Sequence, residues 1–185
     1  MFNNKQAKKA IMYCFLSVFS ISILFVVSIG LVYFLSKSRN QQTKQVITSS
    51  IIGAQLPEYL LVDHTGKVLD KVLLKNGKVI LVFITADCDF CLEESKFLNS
   101  VLTKNPKIPF YGIVLFSSDR EILEYVETKF PFRVFLDKDS LLRKAFDIKG
   151  VPIKLYLENG IVKKAWIGST QESQRDFISW LDSLN

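Results

Sequence analysis

Histidine occurs once in this 185-residue chain and cysteine three times. Three cysteines are too few for a disulfide-stapled scaffold, so a core must come from apolar burial. Acidic residues are missing altogether from residues 1–45, which hold Lys5, Lys8, Lys9, Lys37, Arg39 and Lys44. The whole formal excess of +6 therefore lies there, and residues 46–185 carry 18 basic and 18 acidic side chains. A stretch without net charge has no concentrated basic footprint, which removes the general case for binding a nucleic-acid backbone. There is no internal repeat and no low-complexity tract, and a hydrophobic fraction of 49% excludes disorder. The length suits one globular domain with an appendage.

Charge is also absent from Ala10 to Ser36, 27 residues rich in Ile, Leu, Val and Phe. As a helix this run reaches roughly 40 Å, more than the roughly 30 Å of a bilayer's hydrocarbon core. A cleaved secretory signal has a shorter apolar region and small residues at its cleavage site, whereas Ser36-Lys37-Ser38 places a lysine there. The expectation is a basic flank over 1–9, an uncleaved transmembrane anchor over 10–36, a hydrated tether over 37–52 and a folded domain over 53–185. Lys5, Lys8, Lys9 and the amino terminus against Lys37, Arg39 and Lys44 favour the amino terminus inside by a small margin. Cys14 lies within the anchor and reads as an apolar residue of it.

Past the tether, Asp63-His64-Thr65-Gly66 separates Tyr59–Val62 from Val68–Leu69 and predicts a hairpin. The uninterrupted apolar run Val79–Ile84 predicts a central strand covered on both faces. Cys91, Leu98, Val101 and Leu102 then follow helical spacing until Pro106. Tyr111–Phe116 is a second strand, and Asp119 caps a helix over Arg120–Lys129. Phe132–Leu136 reads as a strand and Ser140–Phe146 as a short helix. Ile153–Leu157 and Ile161–Trp166 flank Glu158-Asn159-Gly160 as a hairpin, and a last helix from about Thr170 to Leu184 turns Phe177, Ile178 and Leu181 inward. Alternating β and α followed by ββα predicts an α/β domain of three layers with a mixed sheet.

Cys88-Asp89-Phe90-Cys91 falls where the buried strand turns into a helix. This spacing puts both sulfurs on one face, with Cys88 at the helix end where unpaired N–H groups and the dipole favour a thiolate. Cys91, one turn further in, is placed to resolve a mixed disulfide formed at Cys88. The alternatives are a static disulfide and half of a zinc site. Zinc needs two more ligands, for which only His64 and carboxylates are at hand, so no metal and no cofactor is expected. Gly150-Val151-Pro152 stands just before a strand, where a proline starts the strand and leaves neighbouring backbone groups to pair with an extended peptide.

These residues resemble a known family. From about Gly53 to Leu184 the chain is similar to the thioredoxin-fold domain of the TlpA/ResA-like thiol-disulfide oxidoreductases, the membrane-tethered branch of that superfamily. Three blocks carry the resemblance: Val79 to Glu94 with the CxxC pair, Phe130-Pro131 followed by Asp137, Phe146, Ile148 and Gly150-Val151-Pro152, and the Leu155–Gly160 hairpin with the closing helix. The helix and strand between Asp119 and Asp137 are similar to the insertion that separates this branch from minimal thioredoxins. The resemblance implies a thioredoxin fold, with Cys88 as nucleophile, Cys91 as resolving thiol, Pro152 as a cis-proline facing them and Glu94 as an active-site carboxylate relaying a proton. Glu93 beside it competes for that position, and either acid also suits the first turns of a helix as a solvated dipole partner. The implied partners are protein thiols and disulfides outside the cytoplasmic membrane of a bacterium and a membrane electron donor.

The departures point to rivals. Where the family usually has an aromatic residue before the first cysteine, this chain has Asp87, and with Asp89 it flanks Cys88 by two carboxylates. Both oppose a second negative charge, so the expectation is a less acidic thiol and a more reducing couple than in oxidants of this fold. Thr85-Ala86-Asp87-Cys88 also matches the Thr-x-x-Cys of a peroxiredoxin site, with Leu81 where that family places a proline. A copper-handling relative would need a histidine after the cysteines, and His64 precedes them in a turn, as a solvated residue. A non-catalytic binding module on the same fold is the remaining alternative. Phe90, between the cysteines, suits either an apolar client contact or core packing.

Overall fold

The structure, a computed structural model, describes residues 25–39, 51–103, 108–116 and 120–184. The chain divides into two units, Met1–Val46 and Ile47–Asn185. In the first, residues 25–39 form helix α1, whose apolar side chains, Val26 and Phe34 among them, are exposed. Residues 10–24 of the expected anchor, Cys14 included, lie outside the described residues. Among the described residues no helix is long and apolar enough to cross a membrane.

The second unit is a six-stranded mixed sheet between two layers of helix. In chain order its elements are β1 (Leu61–Val62), α2 (Lys71–Lys75), β2 (Lys78–Ile84), α3 (Asp89–Leu102), β3 (Phe110–Val114), α4 (Arg120–Glu127), β4 (Val134–Asp137), α5 (Leu141–Ala145), β5 (Ile153–Glu158), β6 (Ile161–Ile167) and α6 (Gln171–Asp182). The strand order is β1-β4-β3-β2-β5-β6. The pairs β2–β3 and β3–β4 are parallel, while β1–β4, β2–β5 and β5–β6 are antiparallel. Every residue of β2 after Lys78 is buried, as the apolar run requires of a strand with a partner on each side and helices on both faces.

Side-chain alternation sorts the core into two clusters. Val79, Leu81, Phe83, Ile113, Phe135, Ile153 and Leu155 face Leu74 of α2 and Leu142 of α5. Ile80, Val82, Ile84, Val114, Val134 and Tyr156 face Leu98 of α3, Leu123 and Val126 of α4, and Phe177, Trp180 and Leu181 of α6. Ile51 is buried in the first cluster, so packing begins two residues before Gly53.

Local chemistry sets several element ends differently from expectation. The hairpin near the domain entrance is present but short: Val62 bridges Val68, the Asp63 N–H donates to the Lys67 carbonyl and the Leu69 N–H to that of Leu61, and Asp63 Oδ1 closes the turn by accepting from the Thr65 and Lys67 N–H groups and the Thr65 hydroxyl. On their other side Leu61 and Val62 pair with Asp137 and Leu136 of β4. Helix α2 was not anticipated; Asp70 caps it by accepting from the Val72 N–H at 2.9 Å. The β5–β6 loop is the two residues Asn159 and Gly160 alone, at φ 51° and 73°, with Glu158 in the strand, as a type I′ turn demands. In α6, Ile178 is 40% exposed, and Trp180 takes the inward position that helical spacing gives to residues three and four beyond Phe177. His64 is not simply solvated: its Nδ1 lies 2.7 Å from Glu127 Oε2.

Candidate active site

Strand β2 ends at Ile84, and four residues later the chain enters α3 with Cys88 as the N-cap. Cys88 has extended backbone angles, and its sulfur accepts a hydrogen bond from the Cys91 N–H at 3.1 Å. The Cys91 and Leu92 N–H groups also donate to the Cys88 carbonyl, at 2.9 and 3.1 Å. The first sulfur thus sits where a helix offers otherwise unpaired donors to negative charge. Cys88 and Cys91 are joined by a disulfide with Cα atoms 5.1 Å apart. Cys88 is half-buried and Cys91 is 1% exposed, so the pair has one accessible and one sheltered sulfur. Asp87, Asp89 and Phe90 around the accessible sulfur are all exposed.

Pro152 lies just before β5, and the Val151–Pro152 peptide is cis. The antiparallel register pairs Phe83 with Ile153, which brings this peptide beside the carboxyl end of β2, the end that leads to Cys88. The Pro152 carbonyl accepts from the Gly168 N–H at 2.8 Å, while Val151 makes no backbone hydrogen bond to another of the described residues. Phe116, past the end of β3 at the same sheet edge, is 65% exposed at φ 62°, with the Arg143 guanidinium 4.2 Å over its ring. Sequence reading passed over Phe116, whose backbone angle has no signature in an aromatic residue.

The two competing glutamates separate cleanly. Glu93 is exposed and Glu94, one turn beyond Cys91, is fully buried. Glu94 Oε1 accepts from Lys154 Nζ of β5, and Oε2 accepts from Gln174 Nε2 of α6 at 3.1 Å. Lys154 is itself fully buried, with its Nζ 5.4 Å from the ring of Phe177 and 6.0 Å from that of Phe97. Burial pushes the Lys154 amine below the ordinary lysine range, and the Glu94 carboxylate pulls the other way. Lys154 was absent from the sequence-based site. A lysine within Ile153–Leu157 ordinarily marks a solvent face, and only the sheet order, with β5 between β2 and β6, shows that face closed.

No protein-family model matches the chain, and no curated protein matches it. Solved structures do. A secreted Mycobacterium tuberculosis disulfide oxidoreductase homologous to E. coli DsbE aligns at a TM-score of 0.56 and 19% identity, over 68% of this chain and 95% of that one. The thioredoxin domain of a thiol-disulfide oxidoreductase from Bacteroides vulgatus aligns at 0.58 and 18%, over 70% and 96%. A thiol:disulfide interchange protein from a Bacteroides species aligns at 0.59 and 17%, over 72% and 92%. The folded unit is therefore a thioredoxin-like α/β domain. Its structural neighbours are thiol-disulfide oxidoreductases and interchange proteins.

Proposed function

We propose that the chain is a thiol-disulfide oxidoreductase that reduces disulfides of proteins outside the cytoplasmic membrane. The observation that carries the reading is the disulfide at the N-cap of α3, with Cys88 accessible and Cys91 sheltered. In the reduced protein the Cys88 thiolate attacks a client disulfide, forming a mixed disulfide and releasing one client thiolate. Cys91 then gives its proton to the Glu94 carboxylate and attacks the Cys88 sulfur. The Cys88–Cys91 bond forms, the second client thiol leaves, and two electrons have passed to the client. Val151 pairs its backbone with the client chain, and Phe90 and Phe116 offer it apolar contact.

The uncharged run 10–36 with its basic flank supports a membrane anchor, and an anchored reductant in an oxidising compartment needs a membrane electron donor to restore its thiols. Equilibration of the full chain with glutathione and dithiothreitol buffers, read by thiol alkylation and mass spectrometry, tests the reading. A reversible two-electron couple near or below about −230 mV supports a reductant, and one near about −120 mV makes the protein an oxidant. Failure to cycle sinks the exchange reading and leaves a static disulfide. Cys91→Ser accumulates a mixed disulfide at Cys88; hydrogen peroxide consumption that needs Cys88 and tolerates loss of Cys91 points instead to a peroxidase.

A further inference from the structure

The bottom of this site holds a fully buried ion pair that a two-cysteine exchange reaction does not by itself require. Glu94 is fully buried, out of reach of water, where an isolated carboxylate is costly to keep charged. Two groups from two other elements oppose that: Lys154 from β5 on Oε1 and Gln174 from α6 on Oε2. Only Lys154 brings a charge. Its Nζ also lies over the rings of Phe97 and Phe177, and Glu94 is the only carboxylate it pairs with among the described residues. Asp176 of α6 is engaged elsewhere, accepting from the indole N–H of Trp166 at 2.7 Å. Strand β2 faces the pair with apolar side chains, β6 with Trp166 and, beyond it, the exposed Lys164, whose Nζ lies 5.9 Å from the Trp166 ring, and the Cys88–Cys91 disulfide borders the same layer at the start of α3.

We propose that Lys154 is a positioning residue, which keeps Glu94 ionised and aimed while Cys91 gives up its proton. The inference rests on the exchange reading above and assigns to β5 a part in it. A purely structural pair would be ionised as well, but its loss would cost stability and leave the pH dependence of exchange unmoved. The two cases differ in that pH dependence, and the difference is measurable.

The test uses the full chain, with oxidised glutathione as the disulfide probe and infrared spectroscopy to read the protonated-carboxyl band, assigned to Glu94 by its loss in Glu94→Gln. In the wild type the Glu94 band is absent at pH 7. In Lys154→Met it appears at pH 7, release of glutathione from the mixed disulfide slows roughly tenfold or more, and the lost rate returns as pH is raised. On a Glu94→Gln background, Lys154→Met costs no further rate. A Glu94 band already present in the wild type at pH 7 overturns the proposal, and so does an unchanged pH profile in Lys154→Met whatever happens to its unfolding midpoint. If Lys154→Met does not fold, the wild-type band and the comparison of Glu94→Gln with the double variant decide the matter. A wild-type chain that does not cycle with glutathione overturns the exchange reading and with it the part of Lys154 in exchange, and the Glu94 band, read without turnover, tells that outcome apart from a failure of the ion pair itself.

Discussion

Gly112 in β3 is a position where one methyl group should destabilise the whole sheet. It pairs with Val82 on one side and Val134 on the other, and its missing side chain would point into the layer covered by α3, α4 and α6. A Cβ built there meets Val134 Cγ1 at 2.5 Å, Phe132 Cε2 at 3.1 Å and Val134 Cβ at 3.4 Å. Carbon contacts rest near 3.5–4.0 Å, so the Val134 methyl has to retreat by about 1 Å. Val134 is β-branched, stiff at χ1 and fully buried, and cannot swing aside like a long side chain. Overpacking of this kind costs about 1–3 kcal/mol, which is the expectation for Gly112→Ala. Val134→Ala alone loses two buried methyls and costs about 1–3 kcal/mol by cavity formation. In the double variant the new methyl occupies the space of the lost one, so the combined cost falls short of the sum by about 1 kcal/mol or more. Urea unfolding followed by the fluorescence of Trp166 and Trp180, both in this layer, measures all three. Costs that add to within about 0.5 kcal/mol would refute the steric argument, since that is how independent sites behave.

Three further outcomes are expected. Lys154→Met removes the cation paired with Glu94, obliges the buried carboxyl to take up a proton and destabilises by about 3–5 kcal/mol in the same urea assay, whereas Lys154→Met combined with Glu94→Leu regains most of the loss, because a neutral apolar pair carries no desolvation cost. Burial raises the Asp63 carboxyl, but hydrogen bonds from Thr65, Lys67 and Arg133 outweigh it and hold the group below its ordinary value of 3.8; its stabilisation is complete above about pH 4 and drains away as pH falls below that, so Asp63→Asn narrows the gap to wild type in acid thermal melts. Thr170→Ala removes the hydroxyl that accepts the Ser173 N–H at 3.3 Å at the start of α6 and lowers the unfolding free energy by about 1 kcal/mol.

How far the sequence reaches can be argued from Cys88 and Lys154. Cys88 was legible because a six-residue apolar run ending in a turn, with a second cysteine three residues on, uses only neighbouring residues, and strand-to-helix geometry then follows from local chemistry. The same holds for Asn159-Gly160, where two residues dictate both a turn type and the pairing of β5 with β6. The turn at Asp63 was legible in the same way, but the ion pair of its carboxylate was not, because the Arg133 guanidinium that donates to it lies 70 residues away.

Lys154 is the harder case. Period-two alternation puts Lys154 and Tyr156 on one face of β5, and a lysine in such a pattern ordinarily marks the solvent side. That inference assumes an uncovered face. Here the face is closed by α3 and α6, whose Glu94 and Gln174 lie 60 and 80 residues from their partners in the chain. Nothing within the strand announces them. The lysine becomes intelligible only when the sheet order places β5 between β2 and β6, because an interior strand under helices on both sides has no solvent face to offer. A charge at such a position must be paired, and the apolar pattern around it already implies that its partner comes from the layer above. Glu94 is the buried acid of that layer that meets it, which is why the pair, rather than either residue alone, is the unit on which substitution has to act.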